Sequence, residues 1–233
     1  MRQLRTMQRA RRLALVAVLP LLGVLALAGC RSEPGVAAYV GGTKYTVEQV
    51  DALATEGKDK LSQDLGVVRQ TVLSWLLIRD VGQAEAKRRN LALERQDPAQ
   101  VAAQAQLQPN SPLAQLYVDV NAVLSALDQN VAPVEPTEAD QRELYEHLTI
   151  NGGPVSNSFD EVKKYLTKEV VGPRLALRST LVDLFKQADV AVNPLYAPLT
   201  YPIPVPVQNA TAVIAVPLSG VTTSPVTGAS GSA

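Results

Sequence analysis

The chain has 233 residues, with 22 basic and 22 acidic side chains, one cysteine, one histidine and only 4% aromatic residues. A single cysteine excludes an intrachain disulfide, and a lone histidine leaves little for a zinc centre or for a Ser-His-Asp or Cys-His catalytic constellation. With so few aromatics, packing falls to Leu, Val and Ala, which favours helices joined through aliphatic stripes.

Arg2, Arg5, Arg9, Arg11 and Arg12 precede an apolar run of 16 residues, Leu13 to Ala28, broken only by Pro20 and Gly23. This is the basic, apolar and small-residue order of a secretory signal, and it falls short of the roughly 20 apolar residues a spanning helix needs. Leu27-Ala28-Gly29-Cys30 closes the run and resembles the lipobox of bacterial lipoproteins. The resemblance implies a signal peptide over residues 1–29 and a lipidated tether over residues 30–35. It implies a diacylglycerol on the Cys30 sulfur and an acylated new amino terminus, at the extracytoplasmic face of the cell membrane. Two acyl chains suffice for stable anchoring, at about 0.8 kcal/mol per buried methylene. Leu13-Ala14-Leu15 fits a twin-arginine signal poorly, so general secretion is the expected route. Removing residues 1–30 leaves 17 basic against 22 acidic residues, a net charge of minus five, with no basic cluster larger than Lys87-Arg88-Arg89. Nucleic acid is therefore not an expected partner.

Val36-Ala37-Ala38-Tyr39-Val40, Gly41-Gly42 and Thr43-Lys44-Tyr45 predict a β-hairpin with a two-residue turn. Thr46 and Gln49 form a capping box that opens a short helix to about Glu56. From Lys60 to Asn90 the spacing of Leu61, Leu65, Val68, Val72 and Leu76 predicts a long helix. Only Ser74 is polar between Val72 and Ile78, so this helix is read as central, covered on most sides. Pro98 starts a further helical piece to about Leu107, and Leu113, Leu116, Val120, Val123, Leu124 and Leu127 mark the next stripe. Thr137 with Asp140 opens a helix to about Leu148, and Asn151-Gly152-Gly153-Pro154 ends it. Ser158 to Glu161 is another capping box. Gly172-Pro173 predicts a kink or break in the helix that follows. Asp189 to Pro194 reads as a last short strand. Beyond Ala197, Pro198, Pro202, Pro204 and Pro206 and a Thr/Ser/Gly/Ala-rich end predict extended or disordered chain over residues 198–233. A strand over Val207 to Val216 is expected only where a partner supplies an edge.

This order resembles the extracytoplasmic SurA/PrsA-type chaperones. The resemblance is carried by Ala38 to Val50, by Ser74 to Leu91 with its ending Glu85-Ala86-Lys87-Arg88-Arg89, and by Pro136 to Asp140. Phe159 to Lys163 and Ala188 to Tyr196 complete it. It implies a mainly α fold: a helical domain like the SurA N-terminal domain over residues 36–197, with a small β-hairpin paired to a C-terminal strand. Many members of that family carry a parvulin-type prolyl isomerase where this chain has only Thr149 to Asn157, so the resemblance stops there. No enzyme activity, cofactor or metal is expected, and His147, in the polar run Glu143 to His147, reads as a solvated surface residue.

The implied function is non-enzymatic, chaperone-like binding of unfolded or exported polypeptides by a membrane-anchored protein. In the family such binding uses an apolar cradle, for which Leu113, Leu116, Tyr117, Val120 and Leu124 are the candidate residues here. The alternative is a structural or scaffolding envelope lipoprotein that docks a partner through Pro202-Ile203-Pro204-Val205-Pro206, read as a polyproline II ligand or spacer. Cys30→Ser should leave the precursor unprocessed or release the protein from membranes; normal processing with full membrane retention would contradict the anchor.

Overall fold

The computed structural model describes residues 35–219. The signal, the lipobox residues Leu27, Ala28 and Gly29, Cys30, the tether up to Pro34 and the end of the tail lie outside the described residues.

β1 (Val36–Val40) and β2 (Thr43–Thr46) pair antiparallel about Gly41-Gly42, with Gly41 at a φ of 53°. Positive φ is a conformation glycine adopts without steric cost. The Thr46 hydroxyl accepts from the Gln49 amide at 3.1 Å and the Gln49 side chain accepts from the Thr46 amide at 2.9 Å, which starts α1 (Val47–Gly57). β5 (Val190–Val192) adds to the other side of β1, giving the order β2-β1-β5. The N-terminal hairpin and a strand near the end of the body are thereby tied together.

α2 (Leu65–Arg88) begins later than the apolar spacing suggests, because the Asp64 carboxylate accepts from the Gly66 and Val67 amides. Leu61 falls before the helix and is exposed. All seven residues from Val72 to Ile78 are buried, Ser74 included, its hydroxyl donating to the Thr71 carbonyl at 2.7 Å. The helix packs against α1, α4, α7, β1 and β6, so apolar side chains on every face find cover. At Gly82 an added Cβ would lie 2.1 Å from Val123 Cγ1, so α2 and α4 meet there with no space for a side chain. Asn90, at a φ of 55°, ends the helix in a Schellman turn, with the Leu91 amide donating to Ala86 at 2.8 Å and its own amide to Lys87 at 3.2 Å.

Pro98 opens α3 (Pro98–Gln104), and Ser111 caps α4 (Pro112–Gln129). Thr137 and Asp140 form the capping box of α5 (Glu138–Glu146), which leads into the two-residue strands β3 (Thr149–Ile150) and β4 (Gly153–Pro154). α6 (Phe159–Lys163) is a single short helix, and after Tyr165-Leu166-Thr167 the chain enters α7 (Lys168–Gln187). The expected interruption at Gly172-Pro173 is thus displaced. The helix runs through Pro173 without a break, and the chain turns upstream instead, where Thr167 precedes the first helical turn. Gly172 is needed for another reason: a Cβ there would lie 2.6 Å from the Val134 carbonyl, and the Val134 amide donates to its carbonyl at 3.4 Å.

The largest correction concerns residues 198–219, read from sequence as part of an extended or disordered tail. They form a hairpin of β6 (Thr200–Val207) and β7 (Ala210–Pro217) in the sheet order β4-β3-β7-β6. The edge that Val207 to Val216 was expected to need from a partner comes from the proline-rich segment itself. Ile203, Val205, Val207, Ala212, Ile214 and Val216 are buried, while Pro202, Pro204 and Pro206 alternate outward. In an antiparallel ladder the amide and carbonyl of one residue point the same way, alternating along the strand. Proline donates nothing, so the bonds to β7 run through Tyr201, Ile203, Val205 and Val207, and the prolines fall on the open edge. The body is therefore mixed rather than simply mainly α: seven helices among the described residues and two small antiparallel sheets. No helix among the described residues is long and apolar enough to cross a membrane.

Arg178 on α7 joins two carboxylates of α5, Asp140 at 2.5 Å and Glu143 at 2.7 Å. Burial opposes ionisation of Asp140, yet hydrogen bonds from the Thr137 hydroxyl and amide, together with Arg178, hold its carboxyl below the ordinary value. With the folded value below the unfolded one, this stabilisation is complete above the unfolded value of about 4 and is lost as the pH falls through the folded one. Asp140→Asn should cost about 1–3 kcal/mol at pH 7 and flatten the loss of stability between pH 5 and 2. Urea unfolding across that range measures it, and parallel acid limbs for the two proteins would contradict the assignment.

Leu199, Ile203, Val205, Val207, Ile214, Val216 and Leu218 are each at most 3% exposed. At about 1.5–3 kcal/mol per buried side chain, their loss rivals the roughly 5–15 kcal/mol of net stability of a whole domain. A chain ending at Ala197 should lose its cooperative thermal transition, whereas one ending at Ser219 should keep it; an unchanged melt after the longer deletion would contradict the fold.

Candidate functional site

Four segments enclose an open groove with a cavity volume of about 630 Å³. α4 supplies Tyr117, Asn121, Leu124, Ser125 and Asp128; the segment before α3 supplies Glu94, Arg95 and Gln96; α7 supplies Arg174 and Leu177; β6 supplies Tyr201, Ile203 and Pro204. The helical spacing of α4 aims Tyr117, Asn121, Leu124 and Asp128 along one side, roughly one turn apart.

The walls are held by charge. Arg95 pairs with Asp119 at 2.6 Å, fixing the segment before α3 onto α4, and Arg174 pairs with Asp128 Oδ2 at 2.9 Å, bridging α7 to α4. Asp128 Oδ1 is buried without a hydrogen-bond partner. The Tyr117 ring leans on Trp75 of α2, with centroids 5.4 Å apart and planes at 59°, a tilted aromatic contact worth about 0.5–1.5 kcal/mol beyond its buried area. Tyr117 is 39% exposed, so it forms a fixed aromatic shelf with one face open. Burial raises the Tyr201 hydroxyl above its ordinary value, with Tyr117 adding to the rise and Arg174 opposing it. Tyr201 is therefore a neutral donor at physiological pH.

Of the five residues expected from sequence to bind peptide, the structure divides three from two. Leu113, Leu116 and Val120 are at most 3% exposed and belong to the core, whereas Tyr117 and Leu124 line the groove. α4 is apolar over more than half its circumference, and the sequence does not show which stripe faces inward. Arg174, Tyr201 and Ile203 were missed because they lie far along the chain. The period-two pattern Tyr201-Ile203-Val205-Val207 was the available signal, and the intervening prolines masked it.

Pro202-Ile203-Pro204-Val205-Pro206 is a β-strand, with Ile203 and Val205 in the core, so the segment does not take the polyproline II geometry read from its sequence. His147 is exposed and follows the last turn of α5. Among the described residues no group of three or more His, Cys, Asp or Glu side chains comes together in metal-holding geometry. The chain matches no protein-family model, and no curated protein or solved structure is found similar to it.

Proposed function

We propose that this protein is a lipid-anchored, extracytoplasmic, non-enzymatic chaperone-like protein that binds unfolded or exported polypeptides in the groove between α4, α7 and β6. The observation that carries the reading is the mixed lining of that groove. Tyr117, Leu124 and Pro204 offer apolar contact, Asn121 and Ser125 offer hydrogen bonds to a peptide backbone, and Arg95 and Arg174 set its ends. Such a surface accepts many side chains without demanding one sequence, as a client binder must. The order of hairpin, capped helix, long central helix and closing strand supports a SurA-like body, with the short β3–β4 turn at the place where many SurA/PrsA-type chaperones carry an isomerase.

The mode of binding follows from the edge of β6. A strand-adding client needs donors and acceptors in alternation, and the proline edge offers no amide at residues 202, 204 and 206. Clients would therefore lie across the side chains of the groove rather than extend the sheet.

The soluble form, Arg31 to Ala233, should suppress aggregation of an unfolded client at a few-fold molar excess. Leu124→Glu at the groove wall should reduce that protection several-fold, because a carboxylate there resists desolvation against an apolar segment, while leaving thermal unfolding near that of the parent. Light scattering reports the outcome; absence of protection at several-fold excess, or full protection by the variant, would overturn the reading.

A further inference from the structure

A second groove, of about 550 Å³, lies where the described chain begins. Val47, Val67 and Leu195 line it together with Arg69 and Gln70. Its link to the start of the body is direct: the Val47 amide donates to the Gly35 carbonyl at 2.8 Å, and Asn193 donates from its side chain to Val36 at 2.8 Å and from its amide to Ala37 at 2.9 Å. The Asn193 side chain also accepts from the Leu195 amide at 3.0 Å, capping the 3-10 turn Pro194–Tyr196. That turn buries Tyr196 to 5% exposure and leaves its neighbour Leu195 83% exposed, the most exposed of the large apolar residues described; Val67, across the groove, is 48% exposed. A lone exposed leucine is ordinary. Here a capped turn holds it outward, beside a second exposed aliphatic side chain and beside the point where the chain enters.

Five residue steps separate Cys30 from Gly35, and at about 3.3–3.6 Å per step they span at most about 18 Å. With the lipid attached to Cys30, Gly35 stays within that distance of the bilayer surface, and the groove adjoins it through Val47. The charged groups at the groove carry no cationic excess: Arg69 pairs with Asp51 at 2.6 Å, and Asp64 caps α2. A headgroup-binding cationic site is thus not what the groove offers, and its apolar rim is.

We infer that this face rests on the phospholipid bilayer, with Leu195 and Val67 inserted at the interfacial depth, so that the tether fixes the body's orientation as well as its location. The inference rests on the lipid-anchor reading of Cys30. Apolar side chains of surface-lying segments enter to about 5–10 Å, a depth the short tether permits. One leucine and one valine cannot hold a protein to a membrane alone, but an anchored body needs them only to choose which face turns inward.

Cys30 is the chain's sole cysteine, and in the lipidated protein its sulfur is blocked. Leu195→Cys therefore introduces one reactive thiol for an environment-sensitive fluorophore in the full lipidated chain, reconstituted into phosphatidylcholine vesicles carrying shallow nitroxide lipids. The comparator is Val170→Cys, also at an exposed position. It lies near the start of α7, about 25 Å along the helix, at 1.5 Å per residue, from the end that leads to β5. Quenching at residue 195 should exceed that at residue 170 about threefold or more, as expected for interfacial insertion. The contrast should be the same when a third of the lipid is phosphatidylglycerol. Equal quenching at the two positions in protein that floats with vesicles would overturn the inference and leave the anchor standing. A contrast confined to anionic vesicles would replace apolar contact with charge and overturn it too. Protein that does not float with vesicles, and labels at two thiols, would remove the anchor reading and this inference together.

Discussion

Seven consecutive buried residues in the middle of α2 impose the condition that the rest of the body satisfies. An α-helix turns through a full circle every 3.6 residues, so an unbroken apolar run from Val72 to Ile78 exposes hydrocarbon in every direction unless other elements surround it. α1 and the N-terminal sheet cover one side, α4 another, and α7 with β6 the remainder. The C-terminal hairpin is thus part of the core and not an appendage. The polar exception, Ser74, returns its hydroxyl to its own helix, so the surround can stay apolar.

Arginine does much of the joining between these elements. Arg69 reaches from α2 to α1, Arg174 from α7 to α4, Arg178 from α7 to α5, and Arg95 fixes an otherwise irregular segment to α4. At partly exposed sites such pairs contribute modestly to stability. Their value lies in direction: the planar guanidinium fork fixes the angle and register at which two elements meet. A parallel case without helix-to-helix contact is Tyr45, whose hydroxyl donates to Asp80 while Arg79 Nε bonds the other Asp80 oxygen at 2.7 Å, pinning β2 to α2.

Local chemistry made much of this architecture legible in the sequence. The boxes at Thr46/Gln49 and Thr137/Asp140 mark helix starts because a side chain satisfies an amide three residues away, which involves no distant contact. The hairpin over Val36 to Thr46 follows from its glycine pair in the same way. What could not be read locally was orientation. α4 carries two apolar stripes, and only its partners decide that Leu113, Leu116 and Val120 turn inward while Tyr117 and Leu124 face the groove. The last long helix likewise starts at Lys168, just after the buried Leu166, and runs on through Gly172-Pro173. The C-terminal hairpin was hidden by composition, since proline reads as disorder unless its spacing is compared with the period of a strand.

That spacing has one more consequence. Side chains and hydrogen-bonding groups both alternate with period two along β6, so the prolines at 202, 204 and 206 exclude every alignment shifted by an odd number of residues. Sliding β6 by one residue against β7 would bring three residues without amides to the bonded side and turn Ile203, Val205 and Val207 toward water. The same penalty applies to pairing with β7 of another molecule in any register shifted by an odd number of residues. The hairpin therefore limits its own register: its composition, which looks too irregular for a strand, removes the single-residue slips that a uniform valine-rich strand of equal length would allow.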